Sequence, residues 1–155
     1  MRGHEMGAEL DTTEFIRKLA SMRNLSPLGK KMGECCAILE KDIKESMRDT
    51  ATQSTGYHTH NKNKLHYPSV PGNPPAVDTG NLRRSITFSV TEEDTRITGR
   101  VGSAQTLNPP YGFYLEFRTS RMAARPWLRP AMARNKEVIM ETLREAVGEI
   151  INGQR

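Results

Sequence analysis

Apolar residues recur at helical spacing in two stretches near the N-terminus. The first stretch runs from a capping residue, Asp11 or Thr12, to about Asn24, and its apolar positions share one face: Phe15, Ile16, Leu19 and Met22. The second opens with Ser26-Pro27, a capping residue followed by a proline in the first turn. Its apolar positions recur at steps of four or three: Leu28, Met32, Cys35, Leu39, Ile43 and Met47. We expect two helices here, and the second should be long with one buried face.

Alternation of apolar and polar residues predicts three strands in the second half of the chain. The first covers residues 82–90, a turn follows at 92–94, and a returning strand covers 97–101. After the break at Asn108-Pro109-Pro110, residues 111–117 alternate again, which predicts a third, half-buried strand. These strands should form a small antiparallel sheet.

A further long helix is expected over residues 131–151, closed by Gly153. Its inward-facing residues are predicted to be Met132, Ile139, Leu143, Val147 and Ile150. Between the N-terminal helices and the first strand, residues 50–77 are polar, rich in proline and, between Asp49 and Asp78, free of acidic residues. A connection of this length inside a small domain is usually functional, so we expect an extended arm that orders against a neighbour.

The predicted elements fit a single domain over residues 1–155 of the α+β class. Helices that precede and follow a run of strands favour a sheet covered on one face, here three to four antiparallel strands packed by two long helices. The long extended arm lies between helix and sheet. The parts are the N-terminal helices (1–49), the arm (50–77), the sheet (78–118), and an arginine-rich loop with the C-terminal helix (119–155).

Composition indicates a soluble, basic protein with a modest core. The 155 residues carry a formal net charge of +5, which favours contact with nucleic acid or with an acidic protein surface. No apolar run approaches the length of a membrane span, and the first residues lack the apolar centre of a signal peptide, so we expect no membrane contact and folding in the cytoplasm. Cys35 and Cys36 are adjacent, too close for an ordinary disulfide, and are expected to be a reduced structural pair.

All charged residues from Arg118 to Lys136 are positive. Five are arginines separated by three, four, four and five residues, and they are the candidate residues for a partner interface or a DNA channel: Arg118, Arg121, Arg125, Arg129 and Arg134. The same segment contains the only tryptophan, Trp127, between two prolines that stiffen the backbone, Pro126 and Pro130. Arginine suits carboxylate and phosphate groups equally well, so the segment predicts an anionic partner without naming it.

Metal and catalytic sites are poorly supported by the sequence. His58, His60 and His66 lie in the arm, but no carboxylate lies between Asp49 and Asp78 to complete a metal site, and a polar arm is the simpler interpretation. The tripeptide Asp78-Thr79-Gly80 occurs once and leads directly into Asn81-Leu82, so we expect a tight turn that Asp78 caps and in which Gly80 adopts a positive φ. The glycines of Gly99-Arg-Val-Gly102 belong to a strand and form no phosphate loop. We therefore expect no catalytic residue, no metal and no cofactor.

Two blocks of the sequence resemble the signature of a protein family from long-tailed, lambda-like bacteriophages. The first is Pro71-Gly-Asn-Pro-Pro-Ala-Val-Asp-Thr-Gly-Asn-Leu-Arg-Arg-Ser-Ile86, and the second is Glu116-Phe-Arg-Thr-Ser-Arg-Met-Ala-Ala-Arg-Pro-Trp-Leu-Arg-Pro-Ala131. This family comprises the tail-completion or head-to-tail joining proteins of the neck. Its pattern is a proline-rich lead into Asp-Thr-Gly, then Leu-Arg and Ser-Ile, and later Glu-Phe-Gly-Thr before an aromatic-Leu-Arg-Pro-Ala block. The structural residues of the motif are then Asp78, Thr79, Gly80, Glu116, Pro126, Trp127 and Pro130. Arg118 departs from the pattern, since the family usually has glycine there.

The resemblance implies a non-enzymatic virion protein of the neck. Such a protein forms a homo-oligomeric ring around the DNA channel, is assembled in the host cytoplasm, and joins a head-side connector or head-completion protein to a tail terminator or tail tube protein, with non-specific contact to packaged DNA. The arm residues expected to bind partners are Tyr57, His58, His60, Lys62, Lys64 and Tyr67.

Three alternatives stay open at the level of sequence. The protein could be a tail terminator, which differs from a completion protein by its position in the neck. It could be a stand-alone nucleic-acid-binding module that uses the arginines with Lys62 and Lys64, in which case binding should weaken steeply with salt. The third alternative is an enzyme, either a hydrolase with a metal on the histidines of the arm or a protease that uses Asp78.

Overall fold

A computed structural model of the chain describes residues 26–58, 65–93, 96–104 and 111–152. The helix predicted over residues 11–24, the closing Gly153 and three arm residues, His60, Lys62 and Lys64, lie outside the described residues.

Two long helices and a β-hairpin form the body of the protein. Helix α1 (Ser26–Ser46) and the C-terminal helix α4 (Arg129–Asn152) pack against each other, and α1 also packs on both strands of the hairpin, β3 (Ile86–Glu93) and β4 (Arg96–Ser103). The shorter helices are α2 (Asn81–Ser85) and α3 (Tyr111–Phe117), and a minor pair of strands is formed by β1 (Tyr57–His58) and β2 (Leu65–His66). The predicted α+β class and its two long helices are confirmed.

The apolar stripe of α1 is buried from Cys35 onward as its spacing predicts, while Leu28 and Met32 are half-buried. Leu39, Ile43 and Met47 are at most 4% exposed. They form the core with Leu82 and Ile86 before and within the hairpin and with Trp127 and Ala131 at the start of α4. Burying side chains of this size contributes about 1.5–3 kcal/mol each to the free energy of unfolding. The core therefore lies where α1 crosses the hairpin and the first turn of α4.

The hairpin is a two-stranded antiparallel ribbon, in register from Ile86 opposite Ser103 to Glu93 opposite Arg96. Gly99 sits where β4 passes closest to α1. A Cβ atom on this residue would lie 2.6 Å from the Cys36 sulfur and 2.8 Å from that of Met32. Glycine is thus required for the close approach of strand and helix. Cys35 and Cys36 are buried and unlinked, in agreement with a reduced pair, and burial raises the pKa of both thiols.

Two predictions about the sheet and one about the C-terminal helix are wrong. Residues 111–117 form helix α3 and not a third strand, so the described residues contain a two-stranded hairpin and the separate β1–β2 pair in place of a sheet of three to four strands. The hairpin begins at Ile86 and not at Leu82, because residues 81–85 complete one helical turn in which the Ser85 hydroxyl donates to the Leu82 carbonyl. Met132, predicted to face inward, is 48% exposed.

The error at Met132 has a simple geometric cause. The line of α4 that faces α1 passes through Ala131, Asn135 and Ala146, and the amide nitrogen of Asn135 donates to Asp42 of α1 at 2.7 Å. The apolar positions predicted to face inward lie on average about 80° around the helix from this line, given 100° per residue. The other four, Ile139, Leu143, Val147 and Ile150, are accordingly half-buried.

The arm does not extend away from the domain in its described parts. Its two limbs pair with each other, because Gln53 N–H donates to the Pro68 carbonyl at 2.7 Å and Val70 N–H to the Ala51 carbonyl at 3.1 Å. Tyr57 pairs with His66 in the β1–β2 ladder. The described limbs of the arm, residues 50–58 and 65–77, therefore fold back on each other, and their ordering against a neighbour stays a prediction.

Candidate functional site

A buried carboxylate connects the two ends of the second signature block. Glu116, 2% exposed on α3, accepts hydrogen bonds from the backbone N–H groups of Trp127 at 2.7 Å, Leu128 at 2.9 Å and Arg129 at 3.0 Å. These groups belong to the start of α4, where backbone donors have no partner inside the helix. Glu116 therefore caps α4 from a distance of more than ten residues along the chain, and its negative charge also suits the helix dipole.

Two opposing effects act on the pKa of Glu116. Burial raises the pKa by desolvating the carboxylate, and the donors from Leu128, Trp127 and Arg129 lower it. The donors prevail, so the pKa of Glu116 lies below its ordinary value. The ionised carboxylate is thus part of the folded structure.

Trp127 fixes the other side of this loop. Its side chain is 5% exposed, and its indole N–H donates to the carbonyl of the buried Gly112 at 3.0 Å. The following Pro130 is the second residue of α4, a position where a missing N–H removes no helical hydrogen bond. Together with Pro126 it stiffens the loop on both sides of the tryptophan.

Arg118 follows the last residue of α3 and has a φ of 73°. Its N–H donates to the Tyr114 carbonyl at 2.9 Å, which makes it a left-handed C-terminal cap. Glycine is favoured in this conformation because it has no Cβ atom. Arg118 therefore occupies a backbone position that favours glycine.

Three of the five candidate arginines make contacts within the chain. Arg129 pairs with Glu116 at 3.1 Å and lies over the Phe117 ring, 4.8 Å from its centroid. Arg125 donates from Nε to the Ser69 carbonyl at 3.0 Å, and Arg134 pairs with Asp42 of α1 at 2.9 Å. These three side chains hold the loop, the arm and the helix pair together.

Arg118 and Arg121 differ from the other three. Both are exposed, and neither guanidinium makes an ion pair or hydrogen bond within the part of the chain that the structure describes. They are the two arginines of the segment that stand ready for an external anionic group.

The Asp78-Thr79-Gly80 turn has the predicted backbone conformation at Gly80, but Asp78 does not cap it. Gly80 has a φ of 77°, as expected, but no side chain caps helix α2 through that residue. The Thr79 hydroxyl accepts weakly from Asn81 N–H at 3.4 Å, while the Asp78 carboxylate lies 4.0 Å from Nδ1 of the buried His66. The prediction that Asp78 caps the turn is wrong, because its carboxylate faces the arm.

The two signature blocks lie against each other. The Gly72 N–H donates to the Ala124 carbonyl at 2.9 Å, beside the bond from Arg125 to Ser69. A groove of about 590 Å³ lies between the blocks and is lined by residues of the arm, the turn, α3 and the loop, among them His66, Asp78, Leu115 and Arg125. Residues that are more than 50 positions apart in sequence therefore build one surface.

The arm residues predicted to bind a partner are only partly described. Tyr57 and Tyr67 are 53% and 42% exposed, and Tyr57 packs edge-on against His66 at 5.2 Å between ring centroids. His58 is described only as part of strand β1. Within the described ranges, no three histidine, cysteine, aspartate or glutamate side chains converge as metal ligands.

Helix α3 presents a group of aromatic side chains that the sequence interpretation missed. Tyr111, Phe113, Tyr114 and Phe117 are between 36% and 57% exposed. A signal was available, since Phe113 and Phe117, at positions i and i+4, share one helical face and their rings stack 4.7 Å apart. The strand interpretation of residues 111–117 concealed it.

None of the described helices has the length and apolar content to cross a membrane. Comparison of the chain with protein-family models, with curated proteins and with solved structures gave no significant match.

Proposed function

We propose that this protein is a structural component of a bacteriophage neck, which completes the tail and joins it to the head as a ring of identical subunits around the DNA channel. The proposal starts from the resemblance of the two sequence blocks to the tail-completion family. The observation that carries it further is that the two blocks contact each other through Gly72 and Ala124, and that Arg125 of the second block also binds Ser69, just before the first block.

The chemistry of the motif residues supports a structural role. Glu116 accepts four hydrogen bonds from Trp127, Leu128 and Arg129, and Trp127 anchors the loop to α3. Groups that are buried and satisfied in this way fix a shape and have no position free for a substrate. The motif therefore specifies a rigid loop that displays Arg118 and Arg121, as a docking surface requires.

A stand-alone nucleic-acid-binding module is the weaker alternative. Such a module needs several cations that neutralise phosphates together. Three of the five arginines, Arg125, Arg129 and Arg134, already bind other groups of the chain. Among the described residues of the segment, only the arginines Arg118 and Arg121 are left without such a partner. A protein partner with a carboxylate surface suits two arginines better than a long polyanion does.

The proposal is tested by deleting the coding sequence from the phage genome that carries it and imaging the particles. Loss of a joining protein should leave filled heads and tails of normal length that do not attach, and supplying the wild-type protein in trans should restore joined particles. Loss of a tail terminator should instead alter tail length. Joined, infectious particles without the protein would refute the neck assignment.

The variant Glu116→Gln sharpens the same test. It removes the charge that holds the loop, so we expect it to fail in complementation. The matched variant Glu45→Gln removes an exposed carboxylate of α1, outside the motif, and should complement fully.

A further inference from the structure

Helix α3 carries aromatic side chains that are exposed and do not pack into the core of the described protein. Phe113 is 57% exposed, Phe117 48% and Tyr114 37%. The three rings touch, with centroid distances of 4.7 Å between Phe113 and Phe117 and 6.0 Å between Phe113 and Tyr114. Contiguous exposed aromatic side chains mark an interaction site more often than isolated ones do.

Arginines accompany these rings. Arg129 lies over Phe117, the exposed Arg118 directly follows α3 in the sequence, and the exposed Arg121 lies three residues further along the chain. We call the set of Phe113, Tyr114, Phe117, Arg118 and Arg121 the α3 patch. Aromatic residues and arginine are the types enriched at the energetic centres of protein interfaces, where the ring supplies buried area and the guanidinium supplies directional bonds.

A complementary surface lies on α4 of the same chain. Glu137, Glu141 and Glu145 recur every four residues and are exposed, and Val138, 53% exposed, lies among them. We call these four residues the α4 acidic face. Glu141 pairs with Arg144 at 3.3 Å, whereas Glu137 and Glu145 make no ion pair within 4 Å among the described residues. The face thus offers unpaired carboxylates around an apolar side chain.

The carboxylates at this end of α4 act on the pKa of a lysine of α1. The pKa of Lys31 on α1 is raised first by the hydrogen bond and charge of Glu34, and further by the carboxylates of Glu149 and Glu145. The C-terminal half of α4 is therefore a region of negative potential. Glu145 in this region lies about 24 Å along the helix from Arg129, since each helical residue rises about 1.5 Å.

Two surfaces of opposite charge at separate places on one molecule suit a head-to-tail contact between copies. We propose that the α3 patch of one subunit docks on the α4 acidic face of the next, with Phe113 and Phe117 packed against Val138 and Arg118 and Arg121 paired with Glu137 and Glu145. This inference rests on the proposed function and names the contact that closes its ring. A heterologous contact of this kind generates rings when its rotation closes.

The alternative contacts are less favourable. If two α3 patches met face to face, Arg118 and Arg121 of both copies would be brought together, and like charges repel. Duplex DNA would pair with the arginines but would leave Phe113 and Phe117 without an apolar partner. The combination of rings and cations therefore favours a protein surface that is both acidic and apolar.

A charge-swap experiment on the full chain tests the contact. Variant A carries Arg118→Glu and Arg121→Glu, and variant B carries Glu137→Lys and Glu145→Lys. Arg129 is left intact because it holds Glu116. Each variant alone should be monomeric by sedimentation velocity and native mass spectrometry under conditions where the wild type associates. An equimolar mixture should recover assembly, since patch A then meets face B and patch B meets face A.

The control reverses an equal charge at two exposed arginines of β4 that belong to neither surface, Arg96→Glu with Arg100→Glu. It should assemble like the wild type. A second variant, Phe113→Ala, should weaken self-association by about 10- to 100-fold without changing the far-ultraviolet circular dichroism, since the ring is exposed in the single subunit.

The outcomes separate this contact from the proposed function. A wild type that stays monomeric, variants A and B that assemble like it, or a mixture that stays monomeric would each overturn the contact. So would loss of salt-sensitive DNA binding in variant A with assembly unchanged. In each of these cases, failure of the deletion phage to join heads and tails would still uphold the neck function, and normal joining would refute it independently.

Discussion

Glu116 shows how one residue replaces a local helix cap by a distant one. Helix α4 starts at Arg129 with no acidic residue in its first turn, and the carboxylate of Glu116 supplies that charge from α3. Because the group is 3% exposed at its side chain, its charge is stabilised almost entirely by protein donors. Removing the charge leaves backbone N–H groups buried without a full partner.

We expect Glu116→Gln to lower the free energy of unfolding by about 2–4 kcal/mol, because a neutral amide accepts more weakly and turns its own N–H₂ toward donors. Urea denaturation followed by tryptophan fluorescence measures this directly, since Trp127 is the only tryptophan. Glu137→Gln should change stability by less than about 0.5 kcal/mol. Equal effects of the two substitutions would contradict the capping role.

The stability of the wild type should also depend on pH through this group. The pKa of Glu116 is lower in the folded chain than its ordinary value, so the ionised form stabilises the fold. That contribution is complete above the unfolded pKa of about 4.3 and is lost as pH falls through the lower, folded pKa. The difference in unfolding free energy between wild type and Glu116→Gln should therefore shrink as the pH falls below about 4.3. A difference that is constant with pH would exclude Glu116 as its source.

Arg118 is the residue whose backbone conflicts with its side chain. At a φ of 73°, a non-glycine residue is strained by about 1 kcal/mol. Comparing Arg118→Gly with Arg118→Ala isolates the backbone effect, because both substitutions remove the same charge. We expect the glycine variant to be more stable than the alanine variant by about 1 kcal/mol in thermal denaturation. An alanine variant as stable as the glycine variant would contradict a strained cap.

At the scale of elements, the close contact between β4 and α1 depends on a missing side chain. Gly99→Ala would place a Cβ atom 2.6 Å from the Cys36 sulfur and 2.8 Å from that of Met32, which forces the strand away from the helix. We expect a loss of about 1–3 kcal/mol in chemical denaturation. Gly102→Ala, on the same strand, meets no atom within 4 Å and should be nearly neutral. If Gly102→Ala were as damaging as Gly99→Ala, strand propensity and not packing would be the cause.

The elements also show which structure could be predicted from sequence. Helix α1 was predicted well because its apolar residues recur with the helical period and its cap is local. Residues 111–117 were predicted as a strand because Tyr111, Phe113, Leu115 and Phe117 alternate. The residues that α3 buries are instead Gly112 and Glu116, one turn apart. Neither has a large apolar side chain, so a hydrophobic pattern does not detect them.

The candidate site could be predicted only in part, because its contacts join residues that are far apart in the sequence. The sequence identified the arginine segment and the Asp-Thr-Gly turn, and Gly80 has the predicted positive φ. It could not show that Arg125 reaches Ser69, 56 residues away, or that Arg134 reaches Asp42, 92 residues away. Arginines that look equivalent along the chain are separated by the fold into structural ones and exposed ones.

At the scale of the whole molecule, the arginine segment is a junction. Arg125 joins the loop to the arm, Arg129 joins it to α3, and Arg134 joins α4 to α1. The positive segment thus joins parts of the same subunit in the first place, and its role as a surface toward a partner comes second. Arg118 and Arg121 belong to the same segment but stay exposed, without such a contact among the described residues.

Arg125 provides the most direct test of this junction. Arg125→Gln removes the bond from its Nε to the Ser69 carbonyl, which supports the limb that also pairs through Val70 with Ala51 and through Gly72 with Ala124. We expect amide hydrogen exchange over residues 65–77 to become about 10-fold faster, because a charged hydrogen bond is worth about 1.5–3 kcal/mol and local opening follows that loss. Exchange in the α1–α4 pair should not change, and Arg121→Gln, at an exposed arginine of the same loop, should leave residues 65–77 as protected as in the wild type. Uniform loss of protection along the chain would mean that Arg125 supports the whole fold, and unchanged protection in the limb would mean that the two signature blocks are held together without it.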